Sequence, residues 1–157
     1  MSRYSVTELI DLAKQVEEAG ELFYAAACEH VADERVRKLF AELGADERRH
    51  AAEFEAMLGQ LTEDLEQWRE DDHYLAYLRA VVDGRVFSRP EEARARVAGI
   101  ADVAGAVRFA LDLEKNTILF LHELKTMLRP EAHAMVEELV AEEQEHVRKL
   151  SSLLASA

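Results

Sequence analysis

The chain has 157 residues, of which 49% are hydrophobic and 32% are charged, which suits one domain with one core. It contains only two prolines and six glycines, so long helices can run without interruption. The 19 basic and 32 acidic residues give a formal net charge of −13. Such a surface repels nucleic acid and attracts small cations. We therefore expect a single all-α domain over residues 1–157 that binds no nucleic acid.

The sequence also lacks the usual marks of membrane-bound and exported proteins. No window reaches the roughly 18 consecutive apolar residues of a membrane-spanning helix. The first ten residues have neither the basic start nor the apolar run of a secretory signal. The single cysteine, Cys28, excludes an internal disulfide and a four-cysteine metal site. We expect a cytoplasmic protein with no membrane contact.

Two long helices are predicted in the first part of the chain. The first covers about residues 6–31 and begins at a capping box formed by Ser5 and Glu8. The second covers about residues 34–61, with Asp33 as the N-cap that accepts a hydrogen bond from the first turn. Because the connection between them is short, the two helices should form an antiparallel hairpin.

Residues 62–101 form a long connection with two shorter helical patterns. The second of these patterns is preceded by Ser88 and Glu91, which have the spacing of another capping box. A connection of this length can cross a whole helical bundle from one end to the other.

A second helical hairpin is predicted after this connection. Its first helix follows Asp102 and ends near Leu128, and its second begins near Pro130 and continues to about Leu154. Proline is well suited to the first turn of a helix. The crossover allows the second and third long helices to run parallel, which is the topology of ferritin-like four-helix bundles. We therefore predict a ferritin-like bundle with short helices in its crossover.

Each long helix has an apolar stripe of helical period that is interrupted near its middle by one glutamate. On the second and fourth helices a histidine follows that glutamate by three residues. The two halves of the chain thus repeat one helical hairpin. The interrupting residues are Glu17, Glu47, His50, Glu114, Glu143 and His146.

A pair of metal ions would explain this polar layer. A Glu-x-x-His motif is weak evidence alone, and a third copy at Glu70 and His73 lies in a polar run that we interpret as solvent-exposed. Four carboxylates buried without a cation would each cost several kcal/mol, and a metal-free interaction domain would bear that cost. One Glu from each of two helices plus Glu-x-x-His from the other two is the pattern of di-iron and di-manganese carboxylate proteins. The absence of thiolate ligands argues against structural zinc.

The chain resembles the rubrerythrin branch of the ferritin-like superfamily over residues 6–154. Four motifs carry the resemblance: EEAGELFY (17–24), ADERRHAAEF (45–54), ALDLEKNTILF (110–120) and AEEQEHVRKL (141–150). The resemblance implies that the six layer residues bind two iron ions per chain, with Glu47 and Glu143 bridging. Manganese or a mixed pair is the alternative. Tyr24 would correspond to the tyrosine that lies beside the ligands in that family.

Two features depart from the rubrerythrin pattern. A full rubrerythrin carries an iron–thiolate domain that Cys28 alone cannot build, so electrons would come from an external donor protein. Rubrerythrins also have an additional glutamate three residues after the ligand of the third helix. Thr117 stands at that position here, which argues against peroxidase chemistry that uses this carboxylate, although the set of six ligands is complete.

The resemblance implies a non-haem di-iron oxidoreductase of rubrerythrin type, in which reduced iron reacts with peroxide or oxygen. The alternative is a ferritin-like protein that binds or stores iron without catalytic turnover. A storage shell needs many subunits, whereas a homodimer or small homo-oligomer, which we expect, favours the enzyme. The expected partners are metal ions, peroxide or oxygen, and the electron donor.

Overall fold

The computed structural model describes residues 3–60, 68–70, 72–82 and 89–156. The described part of the chain is a helical bundle with one small strand pair, and the predicted all-α class is confirmed. No helix within it is both long and apolar enough to cross a membrane. Its elements are β1 (Arg3–Ser5), α1 (Val6–His30), α2 (Glu34–Gln60), β2 (Trp68–Glu70), α3 (Asp72–Val82), α4 (Pro90–Ala98), α5 (Val103–Met127) and α6 (Pro130–Ala155).

The long helices begin where their capping residues were predicted. The Ser5 backbone N–H donates to Glu8 Oε2 at 2.8 Å, and the Glu8 N–H donates to Ser5 Oγ at 3.2 Å, which completes a capping box. Asp33 Oδ1 accepts hydrogen bonds from the N–H groups of Arg35 and Val36 at 2.9 and 3.3 Å. These bonds satisfy amides that have no partner inside the helix.

The start of α4 differs from its prediction. Its N-cap is Arg89, in an extended conformation, and Pro90 occupies the first turn. The Arg89 side chain makes no capping hydrogen bond. The helix thus begins one residue later than predicted, and Ser88, the first residue of the predicted capping box with Glu91, lies outside the described residues. The physical reason is that the residue before a proline avoids helical geometry, so the helix begins only at Pro90.

Two apolar clusters fill the bundle, one toward each end. The first, which we call the α3-side cluster, joins the start of α1 and the ends of α2 and α5 to the start of α6 and to α3. The second, the α4-side cluster, joins the opposite ends of the four long helices and includes α4. Because the ends of α2 and α5 lie in the same cluster, these two helices run parallel, as the crossover topology requires. The fold is therefore the predicted ferritin-like bundle.

The strand pair β1–β2 was not predicted. Arg3 pairs with Glu70, and Ser5 pairs with Trp68, in antiparallel register. This pairing joins the segment before α1 to the crossover between α2 and α5. Strands of three residues are too short to show an alternating pattern, so the sequence contained no signal for them.

Candidate metal centre

A layer of polar, ionisable side chains separates the two apolar clusters. It contains the six residues that interrupt the helical stripes, and each is at most 3% exposed. Each long helix contributes its central glutamate, while α2 and α6 add a histidine one turn later, on the same helix face. The structure therefore brings together all six predicted site residues, which are Glu17, Glu47, His50, Glu114, Glu143 and His146.

The first half of the layer is centred on His50. One donor atom from each of Glu17, Glu47, His50 and Glu143 lies within 4.8 Å of the others, which is close enough to hold one cation. His50 Nδ1 lies 2.8 Å from Glu143 Oε1 and 3.4 Å from Glu17 Oε2.

The second half has the same composition around His146. Donor atoms of Glu47, Glu114, Glu143 and His146 also lie within 4.8 Å of one another. His146 Nδ1 lies 3.0 Å from Glu143 Oε2, 3.4 Å from Glu47 Oε1 and 3.6 Å from Glu114 Oε1. Glu47 and Glu143 thus belong to both groups, and the two oxygens of Glu143 face different histidines.

Many polar atoms of the layer are close together yet have no hydrogen bond. Within the described part of the chain, seven buried atoms have no aligned partner: both oxygens of Glu17 and of Glu143, Glu47 Oε1, and Nδ1 of His50 and of His146. A buried polar atom without a partner is costly. Carboxylate oxygens and imidazole nitrogens are ligands that iron and manganese accept, so the unsatisfied atoms fit two cations.

Three of the four carboxyl groups resist ionisation. Burial raises the pKa of Glu17 well above its ordinary value, and the charge of Glu143 raises it further. Burial and the same neighbour also raise the pKa of Glu47. For Glu114, burial and the charges of Glu47 and Glu143 have the same effect on the pKa. In the absence of a cation these groups therefore keep protons that exposed carboxylates would lose.

The pKa values of Glu143 and of the two histidines shift in the directions that favour their charged forms. Burial would raise the pKa of Glu143, but its close contacts with His146 and His50 lower the pKa to about 2. Burial would lower the pKa of His50, but contacts with Glu143 and Glu142 raise it to about 9. Burial would also lower the pKa of His146, and its contacts with Glu114 and Glu143 raise it well above the ordinary value. In the absence of metal, the positive charges of the protonated histidines thus partly neutralise the layer.

Each histidine ring has one acidic residue from outside the layer on its far side. His50 Nε2 lies 3.0 Å from Glu142 Oε2, and His146 Nε2 lies 3.2 Å from Asp46 Oδ2. Each acid comes directly before the glutamate of the opposite Glu-x-x-His motif. Arg49 donates to both acids, at 3.1 Å to Asp46 Oδ1 and by a short contact to Glu142. The acids orient the rings so that Nδ1 faces the carboxylates.

Sequence reasoning missed Asp46, Arg49 and Glu142. Their side chains are partly exposed, and charged residues at such helix positions are usually solvent-exposed. A signal was nevertheless present, because an acidic residue directly precedes the glutamate of both motifs, in the pairs Asp46–Glu47 and Glu142–Glu143.

Tyr24, which the resemblance places next to the ligands, lies beside the layer and contacts Glu114. Its side chain is 1% exposed, and its Oη donates a short hydrogen bond to Glu114 Oε1. The ring packs against Phe23 and Phe40, each with its centroid 5.4 Å away. Burial and the charge of Glu114 raise the pKa of Tyr24 well above its ordinary value, so the phenol keeps its proton.

Thr117 is buried one turn after Glu114 on α5, with 5% of its surface exposed. Its Oγ1 donates to the backbone oxygen of Leu113 at 3.0 Å, so its hydroxyl proton is directed to the helix. His73, from the third Glu-x-x-His motif, is exposed as expected and takes no part in the layer.

Comparisons with known proteins agree with this geometry. The chain is similar over 99% of its length to a solved structure from Thermotoga maritima described as a ferritin-like diiron-carboxylate protein, with 27% identity, 97% of that chain covered and a TM-score of 0.77. No curated protein matches the chain. The model of the rubrerythrin family matches residues 8–154. The chain therefore belongs to the rubrerythrin family.

Proposed function

We propose that the buried layer holds two iron ions, with manganese or a mixed pair as the alternative. Glu17 and His50 would hold the first ion only, and Glu114 and His146 would hold the second only. Glu47 and Glu143, which belong to both groups, would contribute ligands to both ions. The observation that carries the proposal is that the donor atoms form two four-residue groups with Glu47 and Glu143 in common. Four carboxylates and two divalent cations also balance in charge, which removes the cost of burying the carboxylates.

We further propose that the protein is a non-haem di-iron oxidoreductase. Bound iron in its reduced form would supply electrons to peroxide or oxygen. The two apolar clusters keep bulk water from the layer, and Tyr24 holds a proton next to Glu114. We propose that an external electron-donor protein delivers the electrons, because one cysteine cannot build an iron–thiolate centre within this domain. We expect the working unit to be a homodimer or another small homo-oligomer.

Removal of either bridging carboxylate should abolish most metal binding. Glu47→Ala or Glu143→Ala removes one ligand from each of the two proposed metal positions. We therefore expect each variant to lose most of its iron, as measured by elemental analysis. Glu21→Ala and Glu145→Ala are the matched controls, because these residues pair with Arg48 and Arg148 outside the layer. Equal metal loss in all four variants would contradict the assignment.

The acids behind the histidines should tune metal affinity. Asp46→Asn and Glu142→Gln keep the side-chain shape but remove the charge that orients each ring. We expect each to weaken iron(II) or manganese(II) binding by about 10- to 100-fold, measured by competition with a chelator. Glu138→Gln, at an exposed position of the same helix as Glu142, is the control. Affinity unchanged in both variants would mean that the acids do not position the ligands.

Metal binding should stabilise the protein more at high pH than at low pH. The raised pKa values of Glu17, Glu47 and Glu114 mean that the metal-free folded state binds more protons than the unfolded state once the pH exceeds about 4.5, so its stability falls as pH rises. The raised pKa of His50, about 9, extends this loss to about pH 9. Metal replaces these protons and reverses the loss. We therefore expect the difference in Tm between metal-bound and metal-free protein to grow from about pH 5 to about pH 8.

The Glu17→Gln variant provides the control for this pH dependence. It removes one ionisable group from the layer, so the metal-free variant should lose less stability as pH rises. A metal-free natural protein that is as stable at about pH 8 as at about pH 5 would show that the carboxylates are not forced together.

The choice of oxidant should depend on Thr117. A threonine hydroxyl is shorter than a carboxylate and is a weaker ligand, so this chain lacks the additional carboxylate that rubrerythrins have at this position. We expect the reduced protein to show less preference for peroxide over oxygen than a rubrerythrin does. Thr117→Glu should raise the ratio of the peroxide rate to the oxygen rate, measured by stopped-flow absorbance of the diferrous protein.

Thr126→Glu is the matched control, because Thr126 is an exposed threonine on the same helix that also donates to a backbone oxygen. It should leave the rate ratio unchanged. If the natural protein strongly prefers peroxide and Thr117→Glu does not alter the ratio, position 117 does not determine the oxidant. A diferrous protein that reacts with neither oxidant would contradict the proposed activity itself.

A further inference from the structure

Gly20 lies on α1, one turn after Glu17, where the helix backbone approaches Glu47 of α2. The residue is buried. A Cβ placed on it would lie 3.2 Å from both Cγ and Oε2 of Glu47 and 3.3 Å from its Cδ. Such distances are tighter than most real contacts of a Cβ atom, so any larger residue would make the Glu47 side chain move by a few tenths of an ångström. The Glu47 carboxylate thus occupies the space that a side chain at position 20 would take.

This close approach offers no benefit to the helix itself. A glycine inside a helix is less favourable than alanine, because it loses more backbone freedom on folding. At Gly59 of α2, by contrast, an added Cβ would meet no described atom within 4 Å. The internal repeat places Thr117 at the position of α5 that corresponds to Gly20, so the second hairpin accepts a side chain where the first has none.

We propose that Gly20 is a positioning residue for the metal pair, because its missing side chain leaves the room in which the Glu47 carboxylate reaches both ligand groups. The inference rests on the proposed function. Glu47 contributes to both groups, so displacing it changes both metal positions together. Metal–ligand distances tolerate changes of only about 0.2 Å, whereas a free side chain can rotate to relieve the contact. Gly20→Ala should therefore impair metal binding more than folding.

The test compares Gly20→Ala with Gly59→Ala, which makes the same chemical change at an open position. Manganese(II) is titrated into each metal-free protein in competition with a chelator, and its stoichiometry and affinity are measured. We expect Gly20→Ala to weaken binding by about 10- to 100-fold, while Gly59→Ala binds like the natural protein. Circular dichroism and Tm of the metal-free proteins report whether each variant remains folded.

A second comparison separates the proposed contact from a general effect on the helix. In a Glu47→Ala background the added methyl group meets no carboxylate, so Gly20→Ala should raise the Tm of the metal-free protein as Gly59→Ala does. In the natural background, where Glu47 is present, Gly20→Ala should raise the Tm of the metal-free protein by less, or should lower it. This non-additivity is the signature of a direct contact between the two residues.

The outcomes distinguish this inference from the function on which it rests. If the natural protein binds two ions and Gly20→Ala binds them equally tightly, the role of Gly20 is overturned while the metal pair stands. Equal losses of metal affinity in Gly20→Ala and Gly59→Ala would also overturn the role of Gly20, because such losses would reflect changes in the helices alone. If the natural protein binds no pair of ions, the proposed function itself fails.

Discussion

The mutual proximity of four buried carboxylates and two imidazoles is the constraint on which the rest of the structure depends. The layer divides the bundle core into the α3-side and α4-side clusters, so it is shielded from water at both ends. Burial makes the ionised carboxylates costly, and it also makes a cation placed among them strongly favoured. The arrangement of the four helices is therefore coupled to the state of the layer, whether protons or metal ions neutralise it.

The two halves of the layer repeat in sequence but differ in their surroundings. Tyr24 donates a hydrogen bond to Glu114, whereas Leu121, its counterpart in the repeat, has no polar group to offer Glu17. Both oxygens of Glu17 accordingly have no hydrogen-bond partner among the described residues. The two proposed metal positions are thus unequal, because an ion beside Glu17 would have the less constrained carboxylate.

Periodicity was sufficient to predict the helices and the residues of the layer. A glutamate that interrupts an otherwise apolar stripe must face the core, so Glu17, Glu47, Glu114 and Glu143 could be identified without any structure. Features that depend on contacts between elements could not be predicted from the sequence. The role of Gly20 depends on its distance from a residue of another helix, and the β1–β2 pair depends on a contact between distant segments. Asp46 and Glu142 look like ordinary surface charges until the histidines are placed beside them.

The most direct test of this account is the metal content of the natural protein. The protein would be purified without added metal, and elemental analysis would be combined with its visible absorption spectrum. We predict about two iron or manganese ions per chain, and their removal with a chelator should lower the Tm at about pH 8. A protein that contains only traces of metal and remains equally stable after chelation would contradict the claim that the buried layer is a metal centre.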